Sequence, residues 1–303
     1  MTTSESWRAE YPFASNFMEL SPGVRLHYLD EGSISSTESA STILCVHGNP
    51  TWSFYYRSIV SHFAARNRVV ALDHIGCGLS DKPLRYNFTL HQHTQNLLQL
   101  IDRLDLTNIT LVVHDWGGAI GLNAAIQRAD RIQNILVLNT AAFPPPYIPL
   151  RIAACRIPWL GPWAIKYMNL FAWTATFMAI DRLPRLSSTA KQGLLAPYDS
   201  PAHRIAINAF VQDIPMRRSH PTWSVLDELE HGLSRLEKCR VHFVWGMKDW
   251  CFLPSCMERM SQYWPQSTRR ELNDVGHYVM EEAPLEVRQE LEALLQPART
   301  KDS

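Results

Sequence analysis

Residues 111–118 read LVVHDWGG: an apolar run ends in an aspartate, and a turn rich in small residues follows. Where a serine takes this place in a G-x-S-x-G corner, it is a nucleophile carried on a sharp strand-to-helix turn. A carboxylate at the corner is a nucleophile of a different kind. Asp115 is already ionised at neutral pH, and its attack on an electrophilic carbon forms an ester. It therefore suits carbons that bear a leaving group. Ordinary ester cleavage needs the opposite, a hydroxyl that must first lose its proton. An aspartate after a strand also commonly caps the next helix, so the direction of the carboxylate separates the two roles.

Three further stretches carry residues of catalytic type: HGNPTW (47–52), GMKDW (246–250) and DVGHY (274–278). Asp115, Asp249 and His277 run in the chain order nucleophile, acid, histidine, an order that a parallel-sheet topology imposes on a triad carried at its strand ends. His277 is not needed to activate Asp115. Its expected role is general base for a later water attack, with Asp249 fixing the tautomer and stabilising the imidazolium. His47, His114 and the loop DHIGCGLSDKP (73–83) are expected to serve turn geometry and capping around the pocket. No ligand cluster or phosphate-binding loop is visible, so no metal or organic cofactor is expected.

Such residues meet only if strands end side by side. Residues 24–32 alternate like a half-exposed strand. The runs 42–47, 68–73, 109–114 and 134–139 read as buried parallel strands. Helix patterns lie between them at 52–66, 90–104 and 117–128. This alternation predicts an α/β fold, a mostly parallel sheet with helices on both faces, whose ligands bind outside the carboxyl ends of the strands. From about residue 143 to 231 the chain reads as helical and proline-punctuated. The α/β pattern resumes with strands at 241–246 and 269–273 and a final helix at 284–295. The expected division is a core of residues 1–142 and 232–303 with an inserted helical cap of residues 143–231.

Composition sets outer limits. The 303 residues are 46% hydrophobic and 19% charged, enough for a large core. Lysine plus arginine and aspartate plus glutamate number 29 each, which argues against a nucleic-acid partner. The six cysteines show no C-x-x-C pairing and read as reduced, mostly buried thiols. The N-terminal stretch lacks the basic and apolar regions of a secretory signal. The longest uncharged apolar stretch, YMNLFAWTATFMAI (167–180), is too short for a membrane span. A cytoplasmic protein without a transmembrane segment is expected.

HGNPTW, DHIGCGLSDKP, VVHDWGG, WGMKDW and GHY together resemble the haloalkane dehalogenase branch of the α/β-hydrolase superfamily, over about residues 24–295. Epoxide hydrolases also use an aspartate corner but tend to have an aromatic residue where this chain has Asn49. The resemblance implies that Asn49 and Trp116 are hydrogen-bond donors to a departing anion beside Asp115. It also implies an acid at one of two strand ends. One of them is Asn139 here, which cannot be an acid, and the other is Asp249. The cap stretches PPYIPLRIAACRIPWLGPWAIKYMNLFA and APYDSPAHRIAINAFVQDIP narrow the match to the third dehalogenase-like subgroup. Its members include cis-β-lactone decarboxylases of bacterial long-chain olefin biosynthesis. That implies ring opening of a strained lactone and loss of carbon dioxide to a cis-alkene, a substrate with long alkyl chains, and a multienzyme complex with other enzymes of the pathway. Haloalkane dehalogenation and non-catalytic ligand binding on the same fold are the alternatives.

The cap sequence adds one physical feature. Trp159, Trp163, Tyr167 and Phe171 recur every four residues, with Leu170, Trp173 and Phe177 nearby, so one helix face reads as aromatic. Packing of cap onto sheet is expected to absorb at least half of these side chains. A surplus would suit long alkyl chains, a membrane surface or a partner.

Overall fold

The computed structural model describes residues 3–32, 41–183 and 186–296. Eight strands form one sheet: β1 (Asn16–Ser21), β2 (Val24–Glu31), β3 (Thr42–Val46), β4 (Arg68–Leu72), β5 (Ile109–Asp115), β6 (Ile132–Thr140), β7 (Arg240–Gly246) and β8 (Thr268–Leu272). Their order is β1-β2-β4-β3-β5-β6-β7-β8. The β1–β2 and β2–β4 pairs are antiparallel, and the other five are parallel. This is the α/β-hydrolase fold. Strand β1 was not foreseen from sequence. It is an edge strand that buries only Met18, opposite Leu26, so its pattern carries almost no apolar signal.

The strands explain their own composition. β3 and β5 are buried on both faces, and successive side chains point to opposite sides. Leu44, Val46, Leu111 and Val113 join one core with helices Leu90–Arg103 and Trp116–Gln127. Ile43, Cys45 and Val112 join a second core with helices Arg57–Phe63 and Pro284–Leu295. The helix expected at 52–66 is shorter and opens with a 3₁₀ turn, Ser53–Tyr56. That turn is fastened by the buried Asp73 carboxylate, which accepts from Ser53 N at 2.7 Å and Leu79 N at 2.8 Å and pairs with His27 at 2.8 Å. The 73–83 loop is thus anchored by its own first residue.

Between β6 and β7 the described residues are helical, without strands: Leu150–Ala154, Leu160–Met168, Leu170–Met178, Ser188–Leu195, Ile205–Asp213 and Pro221–Gly232. The last of these contacts helices Leu90–Arg103 and Trp116–Gln127, and its Leu226 and Leu229 belong to the first core. The aromatic repeat is not one helix face. Asn169, left-handed at φ 53°, ends one helix and begins the next, which separates Phe171 from Trp163 and Tyr167. Nor does packing absorb most of it, for Trp159, Trp163, Tyr167 and Trp173 are all exposed. No helix among the described residues is long and apolar enough to cross a membrane.

Candidate active site

The corner at Asp115 is strained. β5 ends there with φ 53° and ψ −130°, and helix Trp116–Gln127 starts at the next residue. A non-glycine residue in this region is costly and is held only by its surroundings. Two glycines allow the packing. A Cβ on Gly117 would lie 2.0 Å from Val46 O, and one on Gly48 would lie 2.1 Å from Asp115 Oδ1. The Asp115 side chain does not cap the helix. Its Oδ1 instead accepts from Asn49 N at 2.6 Å, and Thr140 Oγ1 holds its backbone carbonyl. Burial pushes the Asp115 carboxyl above the usual aspartate range, while His277 and the N–H groups of Asn49 and Trp116 favour its ionised form.

His277 sits in the loop after β8 and faces the same carboxylate. Its Nε2 lies 3.7 Å from Asp115 Oδ2, and its Nδ1 lies 2.7 Å from Asp249 Oδ2. Burial alone would lower its affinity for a proton. The Asp249 carboxylate, by charge and hydrogen bond, and then Asp115 outweigh that, so His277 titrates above its ordinary 6.5. Asp249 follows β7 and is only 1% exposed. The structure thus brings Asp115, Asp249 and His277 together.

Asn49 and Trp116 line a cavity of about 630 Å³ together with Asp115 and His277. Asn49 Nδ2 uses one N–H on Ile207 O at 3.2 Å. A side-chain amide has two N–H donors, so one remains. The Trp116 indole N–H has no hydrogen-bond partner among the described residues. The other walls are mostly apolar and come from the helical segment between β6 and β7, including Ile152, Leu160, Ile165, Phe171 and Met178. The segment between β6 and β7 is tied to the loops after β3, β7 and β8 by Asn49 Nδ2 to Ile207 O at 3.2 Å, Trp250 Nε1 to Met178 O at 2.7 Å, Tyr147 OH to Cys251 O at 3.1 Å and Tyr278 N to Ala179 O at 2.9 Å.

Two positioning residues escape a reading by residue type. Asn139, set aside as a non-acid, donates from Nδ2 to Asp249 Oδ2 and to Gly246 O, both at 3.0 Å, and accepts from Gly246 N at 2.8 Å. A polar amide ending an apolar strand was the available signal. Glu282 accepts from Gly276 N at 2.9 Å, Asp181 N at 2.7 Å and Arg182 N at 2.6 Å, binding the His277 loop to the residues that follow helix Leu170–Met178. Nothing in its local sequence marks it. His114 is buried, and its Nε2 donates to His277 O at 2.9 Å. His47 Nε2 accepts from His74 N at 2.9 Å, so both histidines brace loop backbone. Among the described residues no group of three His, Cys, Asp or Glu side chains is placed to hold a metal ion.

A sequence profile for the alpha/beta hydrolase fold matches residues 41–284. The chain is 36% identical over 282 residues to a cis-3-alkyl-4-alkyloxetan-2-one decarboxylase of Shewanella oneidensis, covering 91% of this chain and 86% of that one. It is 34% identical to the protein of the same name from Xanthomonas campestris pv. campestris, covering 90% and 92%. Among solved structures, the haloalkane dehalogenase DpaA from Paraglaciecola agarilytica superposes with a TM-score of 0.78 at 28% identity, covering 94% of both chains.

Proposed function

The chain belongs to the alpha/beta hydrolase fold family, and from that premise we propose that it decarboxylates a cis-3-alkyl-4-alkyloxetan-2-one to a cis-alkene and carbon dioxide. The observation that carries the reading is a strained carboxylate, backed by a His277–Asp249 pair, at the base of a large apolar cavity. About 630 Å³ of such space lies within the range of sites for extended organic ligands and suits long alkyl chains better than a two-carbon halide. The two relatives named for this reaction support it over most of the chain.

In the proposed reaction Asp115 Oδ2 attacks C4 of the lactone, the alkyl-bearing ring carbon bonded to the ring oxygen. The C–O bond breaks, and its electron pair leaves on a carboxylate, which the free N–H of Asn49 and the Trp116 indole N–H receive. The new carboxylate then loses carbon dioxide. Its C–C bonding pair becomes the alkene π bond and expels Asp115, restoring the enzyme. No water and no net proton are consumed. His277 serves this sequence as an imidazolium: it offsets the buried Asp115 charge and stabilises that carboxylate again as it departs. Residues 143–231 act as the cap and residues 1–142 and 232–303 as the core. The protein works in the cytoplasm, in a complex with the enzymes that make its lactone.

The second reading is haloalkane dehalogenation, favoured by the fold shared with DpaA. There His277 must be neutral, because it activates the water that hydrolyses the aspartyl ester. Incubation with a cis-dialkyl β-lactone and, separately, with 1,2-dibromoethane tests the two. Alkene and carbon dioxide from the first, with no bromide from the second, are expected. Bromide release without alkene overturns the proposal.

A further inference from the structure

The cap carries a surface that the catalytic reading leaves unexplained. Trp159 is 91% exposed and Leu150 88%, and Leu160, Trp163, Tyr167 and Met168 are exposed beside them in sequence. Trp159 is held out by a strained turn: its φ is 66° and ψ −50°, and Leu160 N donates to Pro158 O at 2.7 Å. This is a γ-turn of the rarer, strained hand. Large apolar side chains gathered on a surface mark an interaction site, and strain that keeps a tryptophan in water points the same way.

We infer that this face of the cap docks on an anionic phospholipid bilayer, with the cavity mouth turned toward the lipid. Two observations select that occupant. The first is charge. From Arg131 to Ile180 the chain has no aspartate or glutamate, while Arg151, Arg156 and Lys166 lie within the same stretch. Tryptophan and tyrosine with basic residues and no acids are the composition of an interfacial segment. The chain as a whole is neutral, so the attraction is local. The second is continuity. Leu160, Trp163 and Met168 are exposed and also line the cavity that reaches Asp115. A protein seated here would cover the entrance, whereas a bilayer supplies it. Only the use of this mouth for a lipophilic lactone rests on the decarboxylase reading; the docking stands without it.

Co-sedimentation of the full chain with vesicles tests the docking without any turnover. Vesicles with about 30% phosphatidylglycerol in phosphatidylcholine are compared with phosphatidylcholine alone, at salt from about 0.1 to about 0.5 M. The variant is W159S/Y167S, because neither side chain lines the cavity, with circular dichroism and thermal melting to verify its fold. The chain is expected to pellet with anionic vesicles, to release as salt rises, and to bind at least about tenfold more weakly in the variant. Lipid-borne bromine is expected to quench tryptophan emission in the wild type more than in the variant. Failure to bind anionic vesicles overturns the inference, as does binding that the folded variant retains. So does self-association of the wild type without lipid that the variant abolishes, since the patch would then be covered by a second copy.

Discussion

Asp249→Asn changes one oxygen to a nitrogen in a buried carboxylate that accepts three hydrogen bonds. Asp249 Oδ2 accepts from His277 Nδ1 at 2.7 Å and Asn139 Nδ2 at 3.0 Å, and Oδ1 accepts from Cys251 N at 2.6 Å. An asparagine has one acceptor oxygen. Turning that oxygen toward His277 and Asn139 places its NH₂ against the Cys251 N–H and leaves one buried donor unpaired. The opposite orientation leaves two groups facing NH₂ and forces His277 into the other tautomer. The first arrangement wins, at a stability cost of about 1–3 kcal/mol for one unsatisfied buried group. At roughly 2–4 °C per kcal/mol for a large domain, the variant stays folded at room temperature. Activity falls much further. The charge that raises His277 above 6.5 is gone; the equivalent substitution in a serine-protease triad, where the tautomer is lost as well, costs about 10⁴-fold in kcat, which is the upper bound here. Alkene formation measured by gas chromatography, alongside calorimetric melting, gives both quantities. A rate within about tenfold of wild type in a folded variant would refute the argument that Asp249 controls His277.

Asp115→Ala is expected to abolish alkene formation, and Asp115→Gly to be more stable than Asp115→Ala by about 1–3 kcal/mol and so to melt higher, because glycine accepts φ 53° without strain; equal melting temperatures would contradict the strained-corner reading. Asn49→Ala and Trp116→Phe are each expected to lower kcat by about 10²–10³-fold; a rise in KM with kcat unchanged would show that they hold substrate rather than the developing anion. The rate is expected to fall as pH rises through the His277 value above 6.5, since decarboxylation uses the imidazolium; a rate that instead falls on acidification is the signature of a neutral base and of the hydrolytic reading. Stability follows the same sign. With His277 raised in the folded state, its contribution is complete below about 6.5 and is lost as pH rises through the folded value, so the melting-temperature gap between wild type and His277→Gln is expected to narrow toward alkaline pH.

Much of this protein was decided locally. Continuous apolar runs with amphipathic helices between them specify an α/β sheet, because each central strand must hide two faces and each helix one. The corner was legible as well: LVVHDWGG carries an apolar strand, a carboxylate and the glycines that a tight turn requires, all within eight residues. His277 and Asp249 were identifiable because strand ends in such a sheet converge. Tertiary structure alone decided what depends on residues distant in sequence. Asn139 and Asp249 are 110 positions apart and share a hydrogen bond. Glu282 binds backbone N–H groups about 100 residues away, from Asp181 and Arg182. Neither partner's local pattern encodes the other. The aromatic repeat at residues 159–171 shows the same limit from the opposite side. A four-residue period identifies side chains that one helix would align, but the left-handed turn at Asn169 breaks that helix. Which face is then left in water depends on how the pieces pack over the cavity. Hydrophobic patterning tells which side chains seek cover, and only the assembled chain tells which of them find it.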